Sequence, residues 1–404
     1  MRQMRIDAIV NHVLVRVFWV SRRIDPYVRP VIDVAVRPWL QALVQWNVRR
    51  RLPDHGLALA QERQIPGEQE STAAIIDAMS RFTRTTYPHG HAERAGNTKT
   101  YGVMRAELTV ADGLPNHLRH VLFAAPRTYR AFVRLAGPGP LAPPDLRDNG
   151  VMSIGVKVLG VPGPKLLAEE STTQDLLGIS APTFTTPDVV QNAILQAEIG
   201  RGTPLFYFIR PSHPHLSDLI MQGLYATTAA SPLQVGYDSC VPFLLGEGQA
   251  MRYAFVPRPF PAPHRRLRVP LRPGPDYLRE AMITTLGRHE VIFDLVVQRQ
   301  SDPRTMPLEH AGVIWSAREA PREPVATLRL PVQTWDDAEQ RRLADELRFN
   351  PWHALAAHRP LGNQNRARRT IYAALADVRQ QLNAAPHWEP TEQDWSAKLP
   401  RRAA

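Results

Sequence analysis

One cysteine, Cys240, stands among 404 residues, so no disulfide can form within the chain. That usage suits a reducing compartment, and a cytoplasmic location is the expectation. Long apolar runs are missing as well. Asp7, Asn11, His12 and Arg16 interrupt the first apolar stretch, so neither a membrane-spanning helix nor the apolar core of a signal peptide fits. There is no phosphate-loop or dinucleotide glycine pattern and no HExxH, and His213, His215, His353 and His358 have no cysteine partners, which argues against a zinc site. No repeat or long low-complexity tract is present. Acidic charge is in deficit, 38 Asp plus Glu against 49 Lys plus Arg, giving +11 and a pI near 10.2. The basic clusters at Arg49 to Arg51 and at Arg265, Arg266, Arg268 and Arg272 are not interleaved with aromatics, so no nucleic-acid partner is expected.

What is present divides the chain into three parts. Ile6, Ile9, Val10, Val13, Leu14 and Val17 recur at helical spacing with basic residues between them, and a second apolar stretch runs from Val31 to Trp46, broken by Pro38. Two readings of this arm stand: a membrane-surface anchor giving peripheral association through residues 1–46, or a helical arm packed on the domain or on a second subunit. From about residue 100 the period changes to two. Strand-like runs at 101–110, 128–136, 151–160, 174–179, 234–245, 250–257, 290–299 and 324–330 are separated by clusters drawn from 38 prolines and 23 glycines. Helical intervals fall at 276–286, 336–347 and 363–383. Eight strands with a helical insert close into an antiparallel barrel. The expected parts are a basic helical arm at 1–75, a main domain at 76–385 and a loose polar tail at 386–404.

The chemistry-bearing residues gather late in the chain. The segment 349–372 reads FNPWHALAAHRPLGNQNRARRTIY, placing Arg368 and Tyr372 four residues apart on one helix face. A guanidinium beside a phenol favours tyrosinate, a hard anionic ligand that haem iron accepts. Upstream, HGHAERAGNTKTYGVMRAELTV at 89–110 sets a histidine on a glycine-containing connection that leads into a strand. AFVRLAG at 131–137, RDNGVMSIGVKVLG at 147–160 and TTQDLLGISAPTF at 172–184 lie between these two segments. In that order the blocks resemble catalase-related haem proteins over roughly residues 80–385.

The resemblance implies an α+β fold, a closed antiparallel eight-stranded β-barrel with flanking and C-terminal helices, that binds haem b. Tyr372 is then the axial iron ligand, with Arg368 supporting its phenolate. His91 is the distal acid-base group, since Ala92 follows it as in the family. Arg134 holds a haem propionate, with Arg84 or Arg94 as a second contact, because the family's usual arginine three residues before the distal histidine is Pro88 here. Phe184 packs on the haem plane or in the barrel core. The family's distal amide pair is replaced by Ile179 and Ser180, and Ser180 is the group left to hydrogen-bond there. The expected function is conversion of a peroxide, an organic or lipid hydroperoxide more than hydrogen peroxide; the alternatives are a weak catalase and a non-catalytic haem-binding protein. The buried-strand expectation for Cys240 gives it no catalytic role.

Overall fold

The computed structural model describes residues 2–148, 150–260 and 268–396. Asn149, Arg265, Arg266, the side chain of Ile6 and the tail from residue 397 lie outside the described residues. Among those described, nine strands form one antiparallel sheet: β1 Thr100–Val110, β2 Thr128–Ala136, β3 Ser153–Val158, β4 Gln174–Ile179, β5 Tyr237–Asp238, β6 Phe243–Leu244, β7 Ala250–Pro257, β8 Val291–Arg299 and β9 Arg322–Leu330. The helices are α1 Arg2–Val31, α2 Arg37–Arg49, α3 Glu68–Thr86, α4 Val189–Gly200, α5 Phe206–Ile209, α6 Leu216–Tyr225, α7 Tyr277–Leu286, α8 Ala338–Glu346, α9 Asn363–Leu382 and α10 Glu392–Ser396.

Pairing runs β5-β4-β3-β2-β1-β9-β8-β7, and β5 pairs back onto β7, so eight strands close into the expected barrel. β6 shares the β7 edge with β5. The run 234–245 is thus two short strands and not one. Cys240 adopts φ 59°, a left-handed conformation, and Pro242 has no N–H to donate, so the ladder breaks between them. Cys240 is buried at that break, its thiol donating to the Ala181 carbonyl at 2.8 Å.

Alternation along the strands decides where the core sits. Val133 and Leu135 of β2 and Ile154, Val156 and Val158 of β3 join Phe293, Leu295 and Leu328 in one apolar cluster that fills the barrel. The intervening Arg134, Ser153, Gly155 and Lys157 belong to the outer face, yet every residue of β3 is buried. Something must therefore cover β2–β4 from outside, and α1, α4 and α9 do so.

Both ends of the described chain pack on the body. Pro26 and Pro30 do not break the arm: α1 runs through both, and a π turn at Ile32–Val36 joins it to α2. Pro26 cannot donate to the carbonyl of Arg22, and the Thr228 hydroxyl takes that carbonyl instead at 2.9 Å. The boundary at residue 75 falls inside α3, which packs on α4 and α9. The tail is packed as far as Ser396. Glu389 caps the N–H groups of Ser171 and Thr172 at 2.9 and 2.6 Å, and Trp395 donates its indole N–H to the Ala131 carbonyl at 3.0 Å.

Gly102 lies under Trp335, whose ring would stand 2.1 Å from an added Cβ, whereas a Cβ at Gly200 meets nothing within 4 Å. Gly102→Ala is therefore expected to lower stability by about 1–3 kcal/mol in denaturant unfolding. Gly200→Ala should change it by less than about 1 kcal/mol.

A candidate haem-type cavity outside the barrel wall

The outer face of β2–β4 and its helical cover enclose a cavity of about 1290 Å³, lined mostly by apolar side chains. Arg134 reaches it from β2, Ser153 and Gly155 from β3, Leu177 and Ile179 from β4, and Phe184 from the following loop. Gly155 is required by close approach, because a Cβ there would lie 3.1 Å from the Phe349 ring on the same wall. From α1, residues 11, 15, 18, 22, 25, 29 and 32 enter at alternating steps of four and three, the inward stripe of a helix. Asn11 and Arg22 fix that helix to the body: Asn11 Oδ1 accepts from Leu205 N–H at 3.2 Å, and Arg22 donates to the Ala226 carbonyl at 2.6 Å.

Arg368, Ile371, Tyr372 and Arg379 come from α9. As the four-residue spacing requires, Arg368 Nη2 donates to Tyr372 Oη at 3.1 Å, its Nη1 donates to Asn365 Oδ1 at 2.9 Å, and its guanidinium stacks on the phenol ring at 5.0 Å. Arg368 is buried and its Nε has no partner in the protein.

Of the other guanidiniums on the wall, Arg94, Arg134 and Arg379 stand near the Leu347 segment. Arg134 donates to the Asn97 carbonyl at 2.7 Å and from Nε to Thr100 Oγ1 at 3.1 Å, and Arg94 and Arg379 both donate to the Leu347 carbonyl, at 2.6 and 3.3 Å. No carboxylate lies within ion-pair distance of these three among the described residues. Burial, and then their mutual repulsion, pull Arg134 and Arg379 well below the ordinary guanidinium range. Cations held by carbonyls and one hydroxyl, with no paired carboxylate, are costly to bury, and a bound anionic group would relieve them.

The other expected site residues divide. Phe184 lines the cavity and also packs against the barrel core, so both readings of it stand. Arg84 does not: it is exposed on α3, 3.5 Å from Gln381 Oε1, and Arg94 stands on the wall in its place. Ser180 is turned away, its hydroxyl accepting from Met152 N–H at 2.9 Å, while Ile179 faces the cavity. His91 is also outside. Gly90 N–H bonds the Leu382 carbonyl at 2.8 Å and Ala92 N–H bonds Asn383 Oδ1 at 2.7 Å, so the loop is tied to the far end of α9 with the His91 side chain in solvent. Among the described residues no histidine lines the cavity.

The carboxylates on its wall are Asp25, paired with Arg29 at 2.5 Å, and Asp148. Asp148 is 5% exposed and its Oδ2 has no partner, lying over Gly137, where an added Cβ would come within 2.2 Å of it. Burial pushes its carboxyl up to about 7 against the pull of Gly139 N–H, Arg22 and Lys99. No sequence motif singles out Asp148; its burial depends on α1 and on the 137–140 turn, which are distant in the chain.

A second titratable cluster, Glu170, Asp175 and His353, could by ligand type hold a metal ion. The Lys157 ammonium already supplies the cation, 2.8 Å from Asp175 and bonded to Glu170. The cluster serves as a buried ion network behind Phe349.

No family model matches the sequence, and no curated protein matches it. Solved structures do match in shape. A bacterial catalase superposes with a TM-score of 0.55 at 16% identity, covering 84% of this chain and 67% of that one. A fungal catalase gives 0.56 at 14% identity over 83% and 69% of the two chains, and catalase A from Saccharomyces cerevisiae gives 0.50 at 12% over 84% and 72%. The protein has the catalase-like fold.

Asp148 titrates at about 7 when folded against 3.8 for a free aspartate, so folding favours its protonated form. Its contribution to stability is present below about pH 4 and lost as pH rises through 7. Asp148→Asn, neutral throughout, is expected to remove a loss of a few kcal/mol between about pH 4 and 7, read as a flatter profile of urea midpoint against pH.

Proposed function

We propose that the cavity holds an iron porphyrin of the haem b type and that the protein acts on peroxides, organic or lipid hydroperoxides in particular. The observation that carries this reading is the meeting, on one apolar cavity, of the Arg368–Tyr372 pair with Arg94, Arg134 and Arg379, none of which has a described carboxylate at ion-pair distance. Tyr372 Oη would bind the iron, with Arg368 holding the phenol oxygen through its hydrogen bond. Arg134, Arg94 and Arg379 take the two propionates, since planar guanidiniums bind carboxylates in a fork. Ile371, Leu177 and Phe184 supply apolar walls that exclude water. The iron porphyrin supplies redox chemistry toward the peroxide bond. Asp148, not His91, is the wall group able to take up or release a proton near neutral pH. The apolar lining favours hydroperoxides with hydrocarbon chains.

A second reading, haem binding without turnover, has one observation in its favour: Ile179 presents no hydrogen-bonding group on the wall where the resemblance implies one.

Protein produced with ample haem is expected to show a Soret band with the charge-transfer features of tyrosinate ligation. Tyr372→Phe should lose those features, and an absent band after reconstitution would defeat the reading. Peroxide addition separates turnover from binding, and steady-state rates with a fatty acid hydroperoxide and with hydrogen peroxide rank the substrates. His91→Ala is expected to leave turnover within about twofold, because the side chain is in solvent, whereas Asp148→Asn should lower it by roughly 100-fold.

A further inference from the structure

The arm has two faces of opposite character. While its inward stripe lines the cavity, the outward stripe of α1 is apolar: Ile9, Val13, Val17, Val20, Ile24 and Tyr27 follow one another by four or three residues, and each is more than half exposed. Val31 and Val34 continue the series. The π turn takes up one additional residue, so that Trp39, Leu43 and Trp46 of α2 extend it, again more than half exposed. From Arg2 to Arg49 this rod is roughly 70 Å long at the usual helical rise. An ordinary surface helix turns its apolar stripe inward and its polar face to water; here the outward face is the apolar one.

We propose that this outward face docks on a bilayer bearing anionic headgroups, and that an apolar hydroperoxide passes from the lipid into the cavity over the rim of Phe18, Ile24 and Val28. The second clause rests on the function proposed above; the first does not. Charge selects the occupant. Residues 1–51 carry ten arginines and three aspartates, a net +7 of the chain's +11. Asp25 and Asp33 are paired with Arg29 and Arg37 at 2.5 and 3.3 Å, which leaves exposed Arg16 and Arg23 a turn from Val20 on either side. Two copies meeting through this face would oppose like charges, whereas anionic headgroups would neutralise them. Tyr27, Trp39 and Trp46 suit the headgroup boundary, and Arg50 stacks on Trp46 at 4.6 Å. No helix among the described residues is long and apolar enough to cross a membrane, so the arm lies in the plane of the surface. Phe18, Ile24 and Val28 are at once exposed and on the cavity wall, which makes them the passage between the two faces.

The full chain, both haem-free and haem-loaded, is to be sedimented with vesicles of phosphatidylcholine alone and of an equal mixture with phosphatidylglycerol. The proposal expects binding to the mixed vesicles, weakened by salt, and a loss of about tenfold or more in Val17→Glu/Val20→Glu, whose substituted side chains face solvent and whose folding is checked by circular dichroism. Absent binding, equal binding by the variant, or a variant that merely changes oligomeric state in light scattering would overturn the docking. Because the haem-free chain is included, a missing cofactor leaves this result intact. The passage is read by turnover: the variant should lose about tenfold or more with a vesicle-borne fatty acid hydroperoxide and keep its rate with water-soluble tert-butyl hydroperoxide. Equal loss on both, or on neither, overturns it.

Discussion

The outer face of β2–β4 is the constraint on which the rest of the molecule depends. A closed barrel fills its own interior with one set of alternating side chains, and the other set normally meets solvent. Here Arg134, Ser153 and Lys157 occupy that second set and are buried, so helices from both ends of the chain must cover them. α9 and α1 supply the cover without closing onto the wall, and the gap they leave is the cavity. Fold and candidate site therefore share one cause. The wall that needs covering is the wall that carries Arg134 and the glycine at 155.

How much of this could be read from the chain depended on how local each cause was. Arg368 and Tyr372 are neighbours on a helix by spacing alone, and their contact is the one the spacing requires. The barrel strands follow from alternation, and the one misread run contains a left-handed Cys240 that no periodicity reveals. His91 was chosen by the Ala92 that follows it, but which way a loop histidine points is settled by Gly90 and Ala92 bonding to the end of α9, nearly three hundred residues away. Arg94 is legible beside Arg84 as a candidate contact, whereas Arg379 cannot be told from the many solvated arginines, because its placement depends on the distant Leu347 carbonyl to which both it and Arg94 donate. The prolines of α1 are tolerated for a related reason. A carbonyl freed by Pro26 is tolerable only because Thr228, on a distant loop, bonds it.

The arm shows how one helix can satisfy two environments. Its inward stripe is held by polar anchors more than by apolar packing: Arg22 and Arg29 donate to carbonyls at 226 and 224, and Asp25 accepts from Thr228 N–H at 2.7 Å. Each such bond is worth about 1 kcal/mol net, and they fix the rotation of the helix about its axis. Once that rotation is fixed, the valines and isoleucines at the complementary positions have nowhere to go but outward. The exposed stripe is thus a direct consequence of polar docking underneath it.

Arg94, Arg134 and Arg379 form the least compensated part of the protein. Nearby acids soften their repulsion, since Glu93 and Asp345 act on all three, but burial raises the pKa of both carboxyls and so weakens the compensation they offer. A purely structural role would be better served by apolar residues of similar size, which cost less to bury. Water could solvate one guanidinium at a cavity edge, yet three converging on an apolar space leave little room for a full hydration shell around each. A rigid dianion with a large apolar body answers both needs at once, filling the space between β4 and α9 and pairing the cations at its margin. A body of that kind would also stabilise the fold by mass action, through the same arginines.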